Sequence, residues 1–272
     1  MDILTRKAYE LRRDIVDEVY LSKSGHVGGD LSVIDILTVL YYRVMDITPE
    51  NFSSKDRDHF LLSKGHCVDA LYMVLGDLGF FDKEEAKRTF STYGSKFIGH
   101  PNTDIAGIEI NSGSLGHGLA LGVGMALAQK MDGKDYRTYV VLGDGEMAEG
   151  SNYEAMMAAG QYRLDHLCAT VDLNGLQISG TTDEVMSTAD LGKKFEDFGW
   201  NVIHVPDGND CSQLLDAYEL AKKMKGKPTA VIAHTVKGRG VSFMENQKGW
   251  HHGVMSEEQY AQAVKEIEEV LA

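Results

Sequence analysis

Five short apolar runs along the chain predict β-strands, at residues 60–62, 139–142, 167–171, 201–205 and 230–235. Segments with apolar positions at helical spacing lie between most of them, at residues 33–45, 70–78, 116–131, 189–198 and 211–225. Residues 2–20 and 256–271 predict further helices, and Ser256 with Gln259 has the spacing of a capping box. This alternation predicts an α/β fold, a doubly wound, mostly parallel sheet with helices on both faces. No repeat or linker interrupts the pattern, so residues 1–272 are predicted to form a single domain.

The composition excludes several classes of partner. The net charge is −14, which argues against binding to nucleic acid or to an anionic membrane. The three cysteines lack metal-type spacing, and an odd number argues against a disulfide framework. No stretch resembles a signal peptide or a membrane span, so we expect a cytoplasmic protein. Such an acidic chain must hold a phosphate locally, with a metal, backbone N–H groups and histidines.

Two polar segments follow neighbouring predicted strands. GDGEMAEG, residues 143–150, follows the second strand, and VDLNG, residues 171–175, ends the third. Ser151 and Glu154 have capping-box spacing, which predicts a helix between the strands and hence a parallel βαβ unit. Asp144 and Asn174 would then lie at the same carboxyl edge of the sheet, where α/β proteins bind ligands. Carboxylate and amide oxygens at that edge suit Mg²⁺, which commonly shares its coordination with a phosphate.

Loops that pair glycine with histidine are the second chemical signal. They occupy residues 22–30, 61–69, 97–102, 111–118 and 248–253. Glycine allows close approach of backbone to a ligand, and histidine can relay protons near neutral pH. Six of the ten histidines lie in these loops: His26, His66, His100, His117, His251 and His252. Five such loops in one domain favour a ligand site over isolated structural histidines.

Taken together, these motifs resemble a known family. The GDG motif and the asparagine that follows it resemble the metal-diphosphate motif of thiamin diphosphate enzymes. The glycine-histidine loops resemble those of the N-terminal, diphosphate-binding part of transketolases. The resemblance covers nearly the whole chain, from the SGH loop at residues 24–26 to the KGRGVSFMENQ and WHHG segments. It implies the thiamin-diphosphate-binding fold, with thiamin diphosphate and Mg²⁺ as cofactors.

The resemblance assigns a metal site and a cofactor site. Asp144, Asn174 and the backbone carbonyl of Leu176 would bind Mg²⁺. His66 would contact the diphosphate, Ile178 would press on the thiazolium ring, and Glu149 would lie at a contact between subunits. The residues that it places around the cofactor are His66, Gly113, Leu115, Gly145, Glu149, Asn174 and Ile178.

The resemblance also implies three catalytic histidines that line a substrate channel: His26, His100 and His252. His252 is chosen because a glycine follows it, and His251 stays an alternative. The chain departs from the family pattern at Ser114 and His117, where proline and glutamine are usual, and in SGHVGG, where SGHPG is usual. These departures concern the substrate and not the metal site.

A partner chain is implied as well, because transketolases activate the cofactor with a glutamate from a pyrimidine-binding domain that this chain lacks. We expect a C-terminal transketolase subunit in an α2β2 heterotetramer, and an exposed apolar, glycine-rich face around residues 111–125 and 149–160. The predicted reaction of carbohydrate metabolism transfers a two-carbon ketol unit from a ketose to an aldose, each phosphorylated, sulfonated or free. The alternatives are part of a deoxyxylulose-phosphate synthase, the α subunit of a 2-oxoacid dehydrogenase, and a non-catalytic cofactor-binding subunit. The glycine-histidine loops argue against the dehydrogenase.

Overall fold

The computed structural model describes residues 1–272 and is built on one five-stranded sheet, in which all four strand pairs are parallel. The strand order is β1-β2-β3-β5-β4. The strands are β1 (His59–Leu62), β2 (Thr138–Gly143), β3 (Leu167–Leu173), β4 (Asn201–Val205) and β5 (Thr229–His234). All five predicted strands form, and the predicted parallel α/β fold is confirmed.

Ten α-helices accompany the sheet. They are α1 (Ile3–Ser22), α2 (Val27–Val39), α3 (Val68–Asp77), α4 (Lys83–Thr89), α5 (Gly118–Asp132), α6 (Gly150–Tyr162), α7 (Thr182–Met186), α8 (Leu191–Asp197), α9 (Cys211–Lys223) and α10 (Glu257–Leu271). None of them is both long and apolar enough to cross a membrane.

The alternating side chains of each strand supply two separate cores, one on each face of the sheet. Tyr139 and Val141 of β2 join the larger core, under α1, α2, α3, α9 and α10. Val140 and Leu142 join the smaller core, under α5, α6 and α8. Since successive strand residues point to opposite faces, a continuous apolar run is what a sheet covered on both sides requires.

Two predicted helix starts are wrong, and two helices were not predicted. The predicted Ser151–Glu154 capping box is absent because α6 already begins at Gly150, and the Ser151 hydroxyl donates instead to the carbonyl of Gly116, at 2.7 Å. Helix α2 begins at Val27, six residues before the predicted start at Val33, and a π-helical turn, Leu40–Val44, completes it. Helices α4 and α7 are short and largely exposed, so they have little apolar periodicity to predict them. The capping box of Ser256 and Gln259 is confirmed.

Candidate active site

A cavity of about 390 Å³ opens at the carboxyl edge of β1, β2 and β3. The polar loops that follow these strands form its walls, so the parallel pairing brings together residues that are far apart in sequence. Every predicted metal and cofactor residue lines it: His66, Gly113, Leu115, Asp144, Gly145, Glu149, Asn174, Leu176 and Ile178. The roles given to these residues stay predictions, but their convergence on one cavity is a property of the fold.

Asp144 follows β2 directly and is only 2 % exposed. Its carboxylate accepts backbone N–H groups from Gly145, at 2.8 Å, and from Gly175, at 2.5 Å. Burial, and then the nearby charge of Asp172, raise the pKa of Asp144 to about 6. A buried carboxylate next to a second carboxylate is a place where a cation is stabilised.

Asn174 begins a tight loop after β3. Its Oδ1 accepts the backbone N–H of Leu176 at 3.1 Å, and its amide group donates to Asp172 at 3.4 Å. The loop closes where Gln177 N–H donates to the carbonyl of Gly180, at 2.9 Å. Nowhere in the chain do three or more His, Cys, Asp or Glu side chains form a metal-binding cluster. One carboxylate, one amide oxygen and one backbone carbonyl are a poor set for zinc, but they suit Mg²⁺ that takes its remaining ligands from a diphosphate and water.

Two buried lysines, which the sequence reasoning did not select, line the same cavity. Lys64 and Lys237 are each 2 % exposed. The Nζ of Lys64 is hydrogen-bonded to the Asp172 carboxylate, and the Nζ of Lys237 donates to Nδ1 of His251 at 3.2 Å. Burial, and then the charge of Lys64, lower the pKa of Lys237. Two ammonium groups in one cavity of an acidic protein indicate an anionic ligand. The signal in the sequence was a lysine directly before glycine in two segments already noted, the SKGH loop and the KGRGVSFMENQ segment.

Glu146 is a third residue that the sequence reasoning missed. One of its carboxylate oxygens accepts from the Ser63 hydroxyl and, at 2.9 Å, from the backbone of Gly116, and the other accepts from Gly143 N–H at 3.1 Å. It therefore ties together the loops that follow β1 and β2 and the loop that precedes α5. Its role is to hold the walls of the cavity in register.

Five histidines gather beside the cavity, with His26 at their centre. The His26 ring centroid lies 4.9 Å from that of His252, 5.3 Å from His66, 5.7 Å from His251 and 6.2 Å from His100. The predicted catalytic histidines His26, His100 and His252 thus form one group, although none of the three lines the cavity itself. His117 is exposed and is not part of this cluster.

Burial favours the neutral form of four of these histidines, His26, His66, His100 and His251. Burial, and then the neighbouring His252, lower the pKa of His26 to about 4. Burial and then Lys237 lower the pKa of His251 to about 3, and burial lowers that of His100. A neutral imidazole has one donor and one acceptor nitrogen, so this cluster can hold hydroxyl groups and pass protons without adding charge.

His251 and His252 occupy different places. His251 lines the cavity, accepts from Lys237 and stacks on His66 with ring centroids 5.2 Å apart. His252 is more exposed and faces His26 from outside the cavity lining. The geometry brings His251 nearest the cofactor residues, and the substrate-facing role given to His252 stays a prediction.

Comparison with known proteins agrees with this picture. Residues 4–268 match the family model for the transketolase, thiamine diphosphate binding domain. The chain is 46% identical to an apulose-4-phosphate transketolase subunit of Phocaeicola vulgatus, over 99% of this chain and 95% of that protein. It is 40% identical to a 6-deoxy-6-sulfo-D-fructose transketolase subunit of Clostridium sp., over 97% of this chain and 96% of that protein.

Solved structures are similar over the same region. A transketolase from Leishmania mexicana superimposes with a TM-score of 0.91 at 31% identity, over 97% of this chain and 41% of that one. The Campylobacter jejuni transketolase gives a TM-score of 0.90 at 33% identity, over 98% of this chain and 43% of that one. The chain thus spans about two fifths of the length of these transketolases. The prediction of a transketolase-type enzyme is confirmed, and the chain belongs to the transketolase family, in the part that carries the thiamin diphosphate binding domain.

Proposed function

We propose that this chain, as a single domain over residues 1–272, is the diphosphate-binding subunit of a two-chain transketolase. With its partner it transfers a two-carbon ketol unit from a ketose donor to an aldose acceptor, using thiamin diphosphate and Mg²⁺. The observation that carries the proposal is the composition of one cavity. Asp144, Asn174 and two buried lysines line it, and a cluster of neutral histidines lies beside it.

The cavity residues divide into a metal site and a diphosphate site. Asp144, Asn174 and the Leu176 carbonyl would hold Mg²⁺, and Lys64 and Lys237 would compensate the remaining negative charge of the diphosphate. When bound, the cofactor supplies the carbanion that attacks a sugar carbonyl, and the protein supplies position and electrostatics. Burial raises the pKa of Asp144 and so disfavours its ionised form. A divalent cation at this site would favour the ionised carboxylate and offset that effect.

The histidines would act on the sugar. The ring centroids of His26 and His100 lie 6.2 Å apart. His26 is half-buried and His100 is exposed, so a substrate that enters beside the cavity can reach both. As neutral groups they can accept a proton from one substrate hydroxyl and return it to another oxygen. His251 or His252 would supply a third polar contact. His66 is more deeply placed and would serve the cofactor.

A partner surface is proposed on the two helices beside the cavity. Helix α5 exposes a row of small and apolar residues that includes Ala120, Leu121, Gly124 and Ala128, and α6 exposes Met157 close to it. At the rim of the cavity, Ile178 is 68% exposed. Bare apolar surface of this kind is typical of an interface. We propose that a C-terminal transketolase subunit covers it, brings the pyrimidine-binding half of the site, and forms an α2β2 assembly with two-fold symmetry.

The proposed substrates are sugars with a terminal anionic group. The two relatives compared above are named for apulose-4-phosphate and for 6-deoxy-6-sulfo-D-fructose, a sugar phosphate and a sugar sulfonate. We propose the cytoplasm as the site of the reaction, since all three cysteines are free and buried, as a reducing compartment allows.

The test is reconstitution. The chain is mixed with a candidate C-terminal transketolase subunit from the same organism, and ketol transfer is followed with thiamin diphosphate, Mg²⁺ and a panel of phosphorylated, sulfonated and free ketoses. We expect transfer only from the mixture. Turnover by this chain alone would contradict the two-chain proposal. Decarboxylation of a 2-oxo acid by the mixture, with no ketol transfer, would instead favour the synthase or dehydrogenase alternative.

A further inference from the structure

Two helices that carry site histidines begin without a cap from their own side chains. His26 is the N-cap of α2, and no side chain accepts there from the first turn of its own helix. His66 lies in the 3₁₀ turn Gly65–Cys67, which leads into α3, and Cys67 provides no side-chain cap either. The first N–H groups of such helices need acceptors from elsewhere when they are buried.

The acceptors come from the opposite helix in each case. Asp69, in the first turn of α3, accepts the backbone N–H of His26 at 3.2 Å. Asp30, in the first turns of α2, accepts the backbone N–H of Ala70 at 3.2 Å. Each helix is therefore capped by an acid of the other. Gly25 makes the approach possible, since it has φ +139° and a Cβ there would lie 2.7 Å from the Asp69 carboxylate.

The charge of this pair is not compensated by a cation. Asp30 and Asp69 are both fully buried, and the remaining oxygen of each lacks a partner when both are ionised. Lys64 is paired with Asp172, and Lys87 is held by Asp14 and Glu84. The titratable and charged groups that face the pair are Glu18, His26, Lys64, Cys67 and Tyr72, and Asp14 and Lys87 lie near Glu18 in turn.

A proton, in place of a cation, can compensate the charge of this pair. The two side chains lie within hydrogen-bonding reach of each other. A proton on Asp30 would be donated to Asp69 and would satisfy both orphan oxygens at once. Burial, and then the charge of Asp69, raise the pKa of Asp30 well above its ordinary value, and burial raises that of Asp69 to about 7. Glu18 of α1 is also fully buried, and burial raises its pKa well above its ordinary value as well. The one charge left on Asp69 then faces the N-terminus of α2, which favours it.

We propose that Asp30 and Asp69 are positioning residues, a carboxylic acid–carboxylate pair that locks the His26 loop to the His66 loop through one shared proton. The pair touches neither substrate nor cofactor. It fixes the backbone of the histidine at the centre of the cluster relative to the histidine predicted to serve the cofactor. Its effect on turnover rests on the proposed function, whereas its effect on stability does not.

Three variants test the pair in the enzyme reconstituted with its partner. Asp30→Asn keeps a donor toward Asp69 and an acceptor for Ala70, so we expect kcat within about twofold of the wild type. Asp30→Leu is similar in volume but removes both hydrogen bonds, and we expect kcat to fall about tenfold or more, with a smaller change in KM. Asp190→Leu is the control, because the exposed Asp190 caps α8 by accepting from Lys193, at 2.9 Å. It should lower Tm and leave kcat unchanged. Full activity of Asp30→Leu, or equal losses of kcat in Asp30→Asn and Asp30→Leu, would overturn the proposal.

A second measurement uses this chain without any activity. The pKa of Asp30, which carries the shared proton, is raised well above its unfolded value, so the stability that this proton contributes is present at low pH and is lost as the pH rises above the ordinary carboxyl range. The Tm of the wild-type chain should therefore fall between pH 6 and pH 8.5. The fall should be smaller in Asp30→Asn, whose amide is a permanent donor to Asp69 and has no proton to lose. Identical pH dependence in both proteins would overturn the shared proton. If reconstitution gives no ketol transfer, the proposed function fails, and this measurement still decides the pair.

Discussion

Asp172 and Asp69 are buried to the same extent but have opposite electrostatics. Both are 0 % exposed. Burial alone would raise the pKa of Asp172, but Lys64, Ser32 and Thr235 all donate to its carboxylate and hold the pKa below its ordinary value. Asp69 receives a backbone N–H and no cation, and burial raises its pKa to about 7. The difference therefore comes from the partners and not from depth.

The two arrangements suit different tasks. At the edge of the sheet, Lys64 and Asp172 stay charged over the physiological pH range and form a fixed polar floor for a charged ligand. Under the histidine loops, a proton replaces the cation, so the acid pair adds one charge at most and joins two helices. A buried ion pair is costly to break, since either partner alone is left as an uncompensated charge.

The largest effect is expected from breaking the ion pair at the sheet edge. Lys64→Met keeps most of the volume of the side chain and leaves Asp172 buried without its cation. We expect the free energy of unfolding to fall by about 3–5 kcal/mol. Urea denaturation of the purified chain would measure this. The control is Lys134→Met, which breaks an exposed ion pair with Asp56 and should cost about 1 kcal/mol or less. Equal losses in the two variants would show that Asp172 is compensated in some other way.

The next effect concerns the metal. Asp144→Ala removes the one carboxylate among the proposed Mg²⁺ ligands, and we expect thiamin diphosphate to bind more than about 100-fold more weakly in the presence of Mg²⁺. The fold should persist, because the two backbone N–H groups that donate to Asp144, those of Gly145 and Gly175, lie at the cavity surface, where water can replace the carboxylate. Calorimetric titration of the assembled complex would measure the change, with Asp56→Ala as a control at an exposed site. Unchanged affinity in Asp144→Ala would remove the basis of the metal assignment.

The fold could be predicted from the sequence because each strand is a recognisable apolar run. A run such as Tyr139 to Leu142 is apolar on both faces, and only a sheet covered by helices on both sides buries it completely. The cavity residues were also accessible from sequence, because parallel strands bring their carboxyl ends to one edge. Asp144 and Asn174 could be placed together from the order of elements alone.

What the sequence could not supply are interactions between residues distant in the chain. Lys64 and Asp172 are 108 positions apart, and Asp30 and Ala70 are 40 apart. Nothing local marks a lysine as buried, and nothing local marks an acid in a helix as the cap of another helix. The Ser151 cap failed for the same reason, since its hydroxyl found a tertiary partner in Gly116.

Substitutions of the individual histidines should differ in whether they reduce turnover or cofactor binding. His26→Ala and His100→Ala are expected to bind the cofactor normally and to lose about 100-fold in kcat/KM, since they are proposed to meet the sugar. His66→Ala should instead weaken the cofactor. Steady-state kinetics and cofactor titration of the reconstituted enzyme would test this. The pair His251→Ala and His252→Ala sharpens the comparison, because only His251 lines the cavity, and we expect only its loss to affect cofactor binding. The division of roles is wrong if all of these variants behave alike.

The smallest effect is a pH dependence opposite in sign to that of the Asp30–Asp69 pair. The folded-state pKa of His26 is lowered to about 4 from an ordinary value near 6.5. The unfolded chain therefore binds more protons as the pH falls below 6.5, and the stability contributed by neutral His26 is lost in that window. Between pH 6.5 and pH 5.5 we expect a loss of about 1 kcal/mol from this residue, which His26→Gln should remove. Urea denaturation of wild type and variant at the two pH values isolates the contribution of His26, because all other titratable groups are the same in both proteins. A wild type that loses no more stability than the variant would mean that folding does not lower the pKa of His26, which would then be protonated in the folded protein at pH 5.5. In that case its ring could not act as a neutral relay at the centre of the cluster.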